Sequence, residues 1–297
     1  AASEGYKRQV DTPIANVVGD EVVHIIANGD GGGKVQRRNL EEIQKNISHF
    51  EALPDSDVYI LVFGLSGASG SVLGTLFTEH LLDKGKIVVP VIVADAASEI
   101  DSANALRALK SLKNFSSDHY LPTILAENKG DGQRHQVDTY LRDQIVGLIN
   151  ILKWPTMEVD RNDRLTWLNP TTAVDVDSSI HMLYIDSADV LIPEESGLGD
   201  TRRIHDSVLS LGVSVDGGQD FITGIADYSR FRKTGILIGN PPHVHPLLGV
   251  ITTVADPIDA VIDGIEKSKS LFRSQSNKVE SKLKVDTSDF RGGRHAF

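Results

Sequence analysis

A loop of small residues follows the apolar segment at residues 57–63. The stretch GLSGASGSVLG (64–74) has glycine at its first, fourth, seventh and eleventh positions. A turn that only reverses the chain needs one or two glycines, so this loop predicts that a bulky group lies against its backbone. Between a buried strand and a helix, backbone N–H groups and the helix dipole favour an anion such as phosphate. Tight packing of the helix on the strand is the alternative, and the sequence leaves it open. The candidate phosphate-binding residues are Ser66, Gly67, Ala68, Ser69, Gly70 and Ser71.

A second glycine loop lies nearer the N-terminus. The stretch NGDGGGKVQ (28–36) contains Gly31, Gly32 and Gly33, followed by Lys34 and a predicted helix. Alone, it is equally typical of a surface turn. Two glycine loops ahead of two helices in one α/β domain favour a triphosphate more than either loop does separately. Neither loop is a P-loop, because no Gly-Lys-Ser/Thr follows.

Two carboxylates stand three positions apart after the long segment 136–154. They are Asp160 and Asp163 in the sequence VDRND. One hypothesis is that they polarise a water molecule as an acid–base pair. The other is that one of them caps the helix that follows. A separate pair, His243 and His245 in NPPHVHP, could bind a metal but is more typical of a Pro-rich turn, so no metal ligand is predicted.

The segments around these residues alternate between strand and helix patterns. Short apolar runs at 57–63, 86–95 and 120–127 predict buried strands, because they are rich in β-branched residues. Apolar residues at helical spacing connect them, at 71–85 and 104–115. This alternation predicts an α/β fold with a mostly parallel sheet.

A long helix and a second domain are predicted to follow. An apolar stripe recurs every three or four positions in the long helix, and Pro155 ends it. Strand patterns and one further helix predict a second, smaller α/β domain, after which the apolar content falls. The predicted organisation is a first domain at 1–135, a central helix at 136–154, a second domain at 155–272 and a tail at 273–297.

Composition and charge limit the classes of function. The chain has 297 residues, no cysteine and a formal net charge of −11. These values exclude a disulfide framework and argue against general nucleic-acid binding. From Arg273 onward six Lys or Arg stand against three Asp or Glu, so the tail carries +3 and the remainder −14. The tail could dock on that acidic body, dock on a neighbouring copy, or stay solvated and disordered.

No membrane attachment is expected from the sequence. No apolar run approaches the roughly 20 residues that span a bilayer. No secretory signal is visible, although the chain begins at Ala1 without a Met. Together with the absence of cysteine, these features predict a cytoplasmic location.

The order of these parts resembles the tubulin/FtsZ superfamily. The sequence SGASGSVLG lies where that superfamily has its glycine-rich signature, and VDRNDRLTWL lies where it has an acidic loop after the central helix. Together with HYLPTILAE, these stretches look most like the phage-encoded tubulins of the PhuZ kind. The resemblance is strong over 57–170 and looser beyond.

The resemblance implies a Rossmann-like GTPase domain, a long central helix and a smaller C-terminal α/β domain. It also implies GTP or GDP as ligand, Mg²⁺ with the triphosphate, and end-to-end polymers of this chain that move or position cargo such as phage DNA or capsids in the host cytoplasm. Asp160 and Asp163 would enter the nucleotide site of the next subunit. The nucleotide residues implied are Ser66 to Ser71 and Gly31 to Gly33 for phosphate, Asp11, Thr12 and Asn16 in a further loop, Glu99 for the ribose, and Tyr140, Arg142 and Asp143 for guanine.

Several positions depart from the superfamily pattern. Ser66 and Ala68 replace signature glycines, and Ala68 would cost roughly 1 kcal/mol if it needed a positive φ. Arg142 stands where the superfamily usually has Asn. The superfamily's first strand and first glycine loop would precede Ala1, so a chain trimmed before its natural start is expected. The phage proteins also end in an acidic tail, whereas this chain ends in a basic one.

Two other classes of protein remain as alternatives. A tubulin-like scaffold or cap that does not hydrolyse nucleotide would tolerate Ser66 and Ala68, but would have no use for both Asp160 and Asp163. A nucleotide-dependent enzyme on a doubly wound fold would need its acid–base groups within one subunit.

Overall fold

The structure is a computed structural model that describes part of the chain. The described residues are 8–11, 22–25, 36, 40, 43, 44, 55–128, 134–187, 208–214, 229–239, 247–252 and 256–289. The predicted sites at Thr12, Asn16, Gly31, Gly32, Gly33, His243 and His245 lie outside these residues.

The first half of the molecule is a three-layer α/β unit, as predicted. Three strands pair in parallel, in the order in which they follow one another along the chain, with a helix after each of the first two. These elements are β3 (Val58–Gly64), α1 (Ala68–Asp83), β4 (Ile87–Asp95), α2 (Glu99–Phe115) and β5 (Leu121–Asn128). Two further strands, β1 (Arg8–Asp11) and β2 (Val22–Ile25), form a separate parallel pair.

The second half begins with the central helix α3, Arg134–Lys153, which agrees with the predicted 136–154 within two residues at its start. The elements that follow are β6 (Thr156–Met157), α4 (Arg161–Leu168), a 3-10 turn (Pro170–Thr172), β7 (Ile180–Ser187), β8 (Val208–Ser214), β9 (Ser229–Leu237), β10 (Leu247–Thr252) and α5 (Asp256–Asp289).

One sheet joins the two halves. Its eight strands have the order β3-β4-β5-β7-β10-β8-β9-β6. Strands β5 and β7 pair over only three positions, 121–123 with 180–182. Further along β7, the buried side-chain amide of Gln144 accepts a hydrogen bond from the Ile185 N–H at 2.7 Å and donates one to the Ile185 carbonyl. Because buried backbone groups need partners, Gln144 takes the place of a strand there and attaches the central helix to β7.

Both faces of the eight-stranded sheet are covered at β4, which explains the continuous apolar sequence of this strand. Val88 and Ile92 pack with α1 and α2, whereas Val89 and Val91 pack with the central helix and the second half. Trp167 is fully buried in the second cluster. The central helix therefore lies on the face opposite α1 and α2.

The last helix crosses the predicted domain boundary. Helix α5 continues through Asp289, so the boundary predicted between 272 and 273 falls inside it. Its first turns bury Ile258, Ile262 and Ile265 in the cluster that contains α1 and α2. Lys110 of α2 also pairs with Glu266 at 2.7 Å. A helix that the sequence assigns to the second domain thus packs on the first.

Candidate nucleotide site and acidic turn

The glycine loop connects β3 to α1 at the carboxyl edge of the parallel strands. The Leu65 N–H donates to the Val93 carbonyl of β4 at 2.9 Å, and the Leu65 side chain is fully buried. Gly67 is the N-cap of α1, with extended backbone (φ −73°, ψ 148°). Leu65 therefore fixes the loop to the sheet, and the helix starts three residues later.

The N-terminus of α1 has no side-chain cap. Gly67 cannot supply one, and the first N–H groups of any helix lack intrahelical partners. Helix α2, which follows the next parallel strand, is capped by Ser98, whose hydroxyl accepts from the Asp101 N–H at 3.1 Å. Of these two helix starts on one edge, α1 is the one with an N-terminus suited to an anion.

The glycines of the loop divide into two kinds. A Cβ at Gly74 would lie 2.2 Å from the Phe63 ring, and one at Gly70 would lie 3.1 Å from the Gly64 carbonyl oxygen. Helix–strand packing therefore explains these two. A Cβ at Gly64 or Gly67 would meet nothing within 4 Å, and neither has a positive φ. The fold gives no internal reason for glycine there.

The expected strain at Ala68 does not arise. Ala68 is the first residue of α1 and is 4% exposed. Among the described residues other than glycine, only Glu158 has a positive φ, at 72°. The condition for a cost at this position, a positive φ, is therefore not met, and Ala is the best helix former.

Polar side chains behind the loop hold it in place. Asn104, in the middle of α2 and 1% exposed, donates from Nδ2 to the Ser66 carbonyl at 2.9 Å. Gln36 Nε2 donates to Ser71 Oγ at 2.7 Å, and that hydroxyl donates to the Gly67 carbonyl. The Ser71 hydroxyl, a predicted phosphate ligand, is thus engaged within the chain. Asn104 was not among the predicted site residues. Its position among the buried, mostly apolar residues of a helix could have indicated it, because a buried Asn needs a hydrogen-bond partner.

A groove of about 530 Å³ lies beside this network. It is lined by α1, by α2 and by the helical residues Gln36 and Leu40. The Arg107 guanidinium lies in its wall and donates to the Asn104 side-chain oxygen at 3.1 Å. The groove therefore lies behind the glycine loop, on the helix side.

Other predicted nucleotide residues take varied positions. Glu99 begins α2 at the same sheet edge as the glycine loop and accepts from Arg273 Nε of α5 at 2.5 Å. Asp11 ends β1 in the separate strand pair. Tyr140 is half-buried, whereas Arg142 and Asp143 are exposed and pair with each other at 2.9 Å.

The acidic turn forms a capping box at the start of α4. Asp160 accepts from the Asp163 N–H at 2.9 Å, and Asp163 accepts from the Asp160 N–H at 3.2 Å. Lys233 of β9 pairs with the other Asp163 oxygen at 3.0 Å. The capping hypothesis therefore holds for both carboxylates. Asp160 is exposed, whereas the Asp163 side chain is 21% exposed.

Strand β9 holds the segment that leads into this turn. Thr156 and Met157 pair with β9, and Trp154 Nε1 donates to the Ile238 carbonyl at 3.0 Å. A Cβ at Gly235 would lie 2.9 Å from the Met157 carbonyl oxygen, so glycine permits this close approach. Because the segment is paired on one side, the acidic turn has a fixed position.

The acidic turn and the glycine loop lie beyond opposite ends of β3, so they are at opposite edges of the sheet along the direction of its strands. Arg161, inside the turn, pairs with Asp57, which directly precedes β3. The glycine loop follows the other end of β3, seven residues away, or about 20 Å along a strand. The central helix, with 20 residues, spans about 30 Å between the two edges. One chain cannot bring both sites to the same phosphate.

The described residues lack both a metal-binding cluster and a membrane-spanning helix. No group of three His, Asp or Glu side chains could hold a metal ion there. Within the same ranges, no helix combines the length and apolar character needed to cross a membrane.

The chain is similar to phage proteins of one kind. It is 29% identical over 168 residues to a phage tubulin-like protein of Pseudomonas phage PhiPA3, covering 54% of this chain and 53% of the relative. It is 22% identical over 195 residues to one of Pseudomonas phage 201phi2-1, covering 63% and 56%. The alignments thus span about half the length of these relatives. No family model matches the chain.

Solved structures agree with this similarity. The phage tubulin PhuZ with GDP superimposes with a TM-score of 0.76 at 20% identity, covering 91% of this chain and 85% of that one. A protofilament of TubZ from bacteriophage PhiKZ gives 0.74 at 22% identity, covering 91% and 84%.

The fold is tubulin-like, with a Rossmann-like first domain and a central helix. Within that class, the relatives that the chain resembles in sequence are phage tubulin-like proteins. The resemblance predicted from the glycine loop and the acidic turn is confirmed.

Proposed function

We propose that this protein binds GTP, polymerises end to end and hydrolyses GTP at the contact between subunits. The observation that carries the proposal is the position of the glycine loop and the acidic pair at opposite edges of one sheet. In a head-to-tail polymer, the acidic edge of one subunit meets the glycine edge of the next. The relatives' names, a phage tubulin with GDP and a TubZ protofilament, agree with this function.

The phosphates would bind at the uncapped start of α1. Gly64 and Gly67 are open to a ligand, no side chain caps the helix, and the helix dipole favours negative charge. The residues proposed around the phosphates are Ser66 to Ser71 and Gly31 to Gly33, with Asp11, Thr12 and Asn16 nearby. Glu99 would contact the ribose, and Tyr140, Arg142 and Asp143 the guanine. Mg²⁺ would take most of its ligands from phosphate and water.

Asp160 and Asp163 would act on the nucleotide of the neighbouring subunit. Their task would be to orient the attacking water and accept its proton, a contribution of order 10²–10⁴ in rate. In the isolated chain Asp163 has both oxygens engaged, by Lys233 and by the Asp160 N–H. Asp160 is the more exposed of the two and has the easier access to a neighbour.

The cellular task would be mechanical. The polymer would assemble with GTP, disassemble after hydrolysis and so move or position cargo such as phage DNA or capsids in the host cytoplasm. Helix α5 includes residues 273–289 of the basic tail, and a further contact between this tail and a neighbouring subunit would support assembly.

A second candidate is a tubulin-like scaffold that binds nucleotide without hydrolysing it. The observation in its favour is the capping box, because a structural role alone would account for both Asp160 and Asp163.

GTPase activity as a function of protein concentration tests the proposal. A shared site predicts almost no turnover per molecule in dilute solution and a sharp rise above an assembly threshold, which light scattering measures in parallel. Filaments without phosphate release would identify the scaffold. Turnover strictly proportional to protein concentration below any threshold would contradict the shared site and favour a single-subunit enzyme.

A further inference from the structure

Arg164 connects the end of the central helix to the acidic turn. It follows Asp163 directly and points back to the C-terminus of α3. Its Nη1 donates to the Leu152 carbonyl at 3.2 Å, and its Nη2 donates to the Trp154 carbonyl at 2.8 Å. One guanidinium on α4 thus contacts the last turn of α3, which ends at Lys153.

The side chain suits this position chemically. Carbonyls at a helix C-terminus lack intrahelical partners, and the helix dipole attracts a cation there. Burial lowers the pKa of the Arg164 guanidinium, while the charges of Asp160 and Asp163 raise it. Two terminal nitrogens at a fixed separation reach carbonyls at two different places, whereas the three donors of a lysine ammonium all lie on one nitrogen.

Arg164 also shapes the segment between the two helices. Its Nη2 donates to Thr156 Oγ1 at 2.8 Å. The Thr156 hydroxyl in turn donates to the Val159 carbonyl at 2.7 Å. Val159 precedes Asp160, so a continuous series of hydrogen bonds leads from the end of α3 to the peptide group just before the first of the two aspartates.

We propose that Arg164 is a positioning residue for hydrolysis. It fixes the carboxylates of Asp160 and Asp163 relative to the central helix, and therefore relative to the nucleotide of the neighbouring subunit. The inference rests on the function proposed above. Arg164 itself does not contact the nucleotide, and its effect arises because a displacement of about 1 Å at a reacting group can lower a rate by about 10²-fold.

The test compares Arg164→Lys with Arg161→Lys in assembled filaments. Arg161 lies on the same helix, but its exposed guanidinium pairs with Asp57, which precedes β3. We expect Arg164→Lys to keep GTP affinity and critical concentration and to lose about 10- to 100-fold in turnover per assembled subunit. Hydrogen exchange should accelerate in peptides covering 154–163 and stay unchanged in 134–150. Arg161→Lys should retain wild-type turnover and exchange.

Asp163→Gln, measured in the same filaments, separates the two proposals. Wild-type turnover in Asp163→Gln would overturn the catalytic assignment and, with it, the role of Arg164. Loss of turnover in Asp163→Gln, together with wild-type turnover and exchange in Arg164→Lys, would overturn the positioning role alone.

A milder variant decides the question if Arg164→Lys does not fold. Thr156→Val keeps the shape of the side chain but removes the hydroxyl between Arg164 and Val159. We expect turnover per assembled subunit to fall about 3- to 10-fold at unchanged GTP affinity, since one of three connections is lost. Unchanged turnover in Thr156→Val would overturn the inference.

Discussion

The N-termini of α1 and α4 differ in whether side chains cap their backbone N–H groups. At α1, the N-cap is Gly67, no side chain caps the helix, and the space around Gly64 and Gly67 is open. At α4, Asp160 and Asp163 cap each other's N–H groups in a closed capping box. The first start has no side-chain cap, whereas the second is capped from within the chain.

The helix N-terminus with open space for a ligand and the helix N-terminus with carboxylates are therefore two different places in this chain. The start of α1 offers open space at a helix N-terminus, and no acidic residue lies in its first turn. The start of α4 offers two carboxylates, which already cap its own N–H groups. Each site therefore has what the other lacks, which is the expected arrangement if the two meet only across a contact between subunits.

The largest expected effect separates the chemistry of α4 from its capping. Asp160→Asn keeps a good N-cap, and Asp163→Gln keeps a favoured N3 residue of a capping box, while each removes a charge. We expect a fall of about 10²–10⁴ in hydrolysis per assembled subunit, with thermal stability changed by less than about 1 kcal/mol. Phosphate release and thermal unfolding measure the two quantities.

Asp160→Ala and Asp163→Ala are the matched controls for that experiment. They remove capping and charge together, so a loss of about 1 kcal/mol in stability should accompany the loss of turnover. If the Asn and Gln variants keep full turnover, the carboxylates are structural and the two helix starts do not cooperate.

The next effect concerns the open start of α1. Gly67→Val adds a side chain where the chain has space, so the fold should remain while a phosphate at the backbone is excluded. We expect GTP affinity to fall at least about 100-fold, because several charge-assisted hydrogen bonds would be lost. Binding of a fluorescent GTP analogue, with circular dichroism as a check on folding, measures this.

Gly74→Ala in the same stretch is the control for Gly67→Val. Its Cβ would collide with Phe63, so overpacking should cost about 1–3 kcal/mol of stability while the phosphate site stays open. GTP affinity retained in Gly67→Val would mean that the loop is small for a reason other than phosphate.

A smaller effect is expected behind the loop, at Asn104. Asn104→Ala leaves the part-buried Ser66 carbonyl without its donor, which should cost about 1–2 kcal/mol of unfolding free energy. Because the loop is then less well held, GTP affinity should fall several-fold, less than in Gly67→Val. Urea unfolding and nucleotide titration measure both, and unchanged affinity would show that the sheet alone orders the loop.

The order of elements could be predicted from the sequence because each element carries a local pattern. The alternation of short apolar runs with helical spacing predicted β3, β4, β5 and the central helix, and the structure contains all four elements. The packing of α5 on α2 could not be predicted, because its apolar stripe is equally suited to either domain.

The details of the two sites depend on contacts between residues far apart in sequence. Lys233 reaches Asp163 across 70 positions, and Gln144 replaces a strand for Ile185 across 41. No local pattern predicts such partners. The glycine-rich loop around Gly67 and the pair Asp160 and Asp163 could be predicted, because each is a pattern of functional residue types within a few positions of the sequence.

The smallest expected effect is at Glu158, which leads into the closed start of α4. Its φ of 72° costs a residue with a side chain roughly 1 kcal/mol, which Glu158→Gly would relieve. Glycine also has more freedom in the unfolded chain, worth about 0.5–1 kcal/mol in the opposite direction. The two terms nearly cancel, so we expect Glu158→Gly to change the unfolding free energy by less than about 0.5 kcal/mol. Glu158→Val keeps the strain, adds β-branching and should be less stable than Glu158→Gly by about 1–2 kcal/mol. Urea unfolding of both variants measures the difference. Equal stabilities would mean that the turn relaxes without loss, in which case the start of α4 is less rigid than its capping box implies.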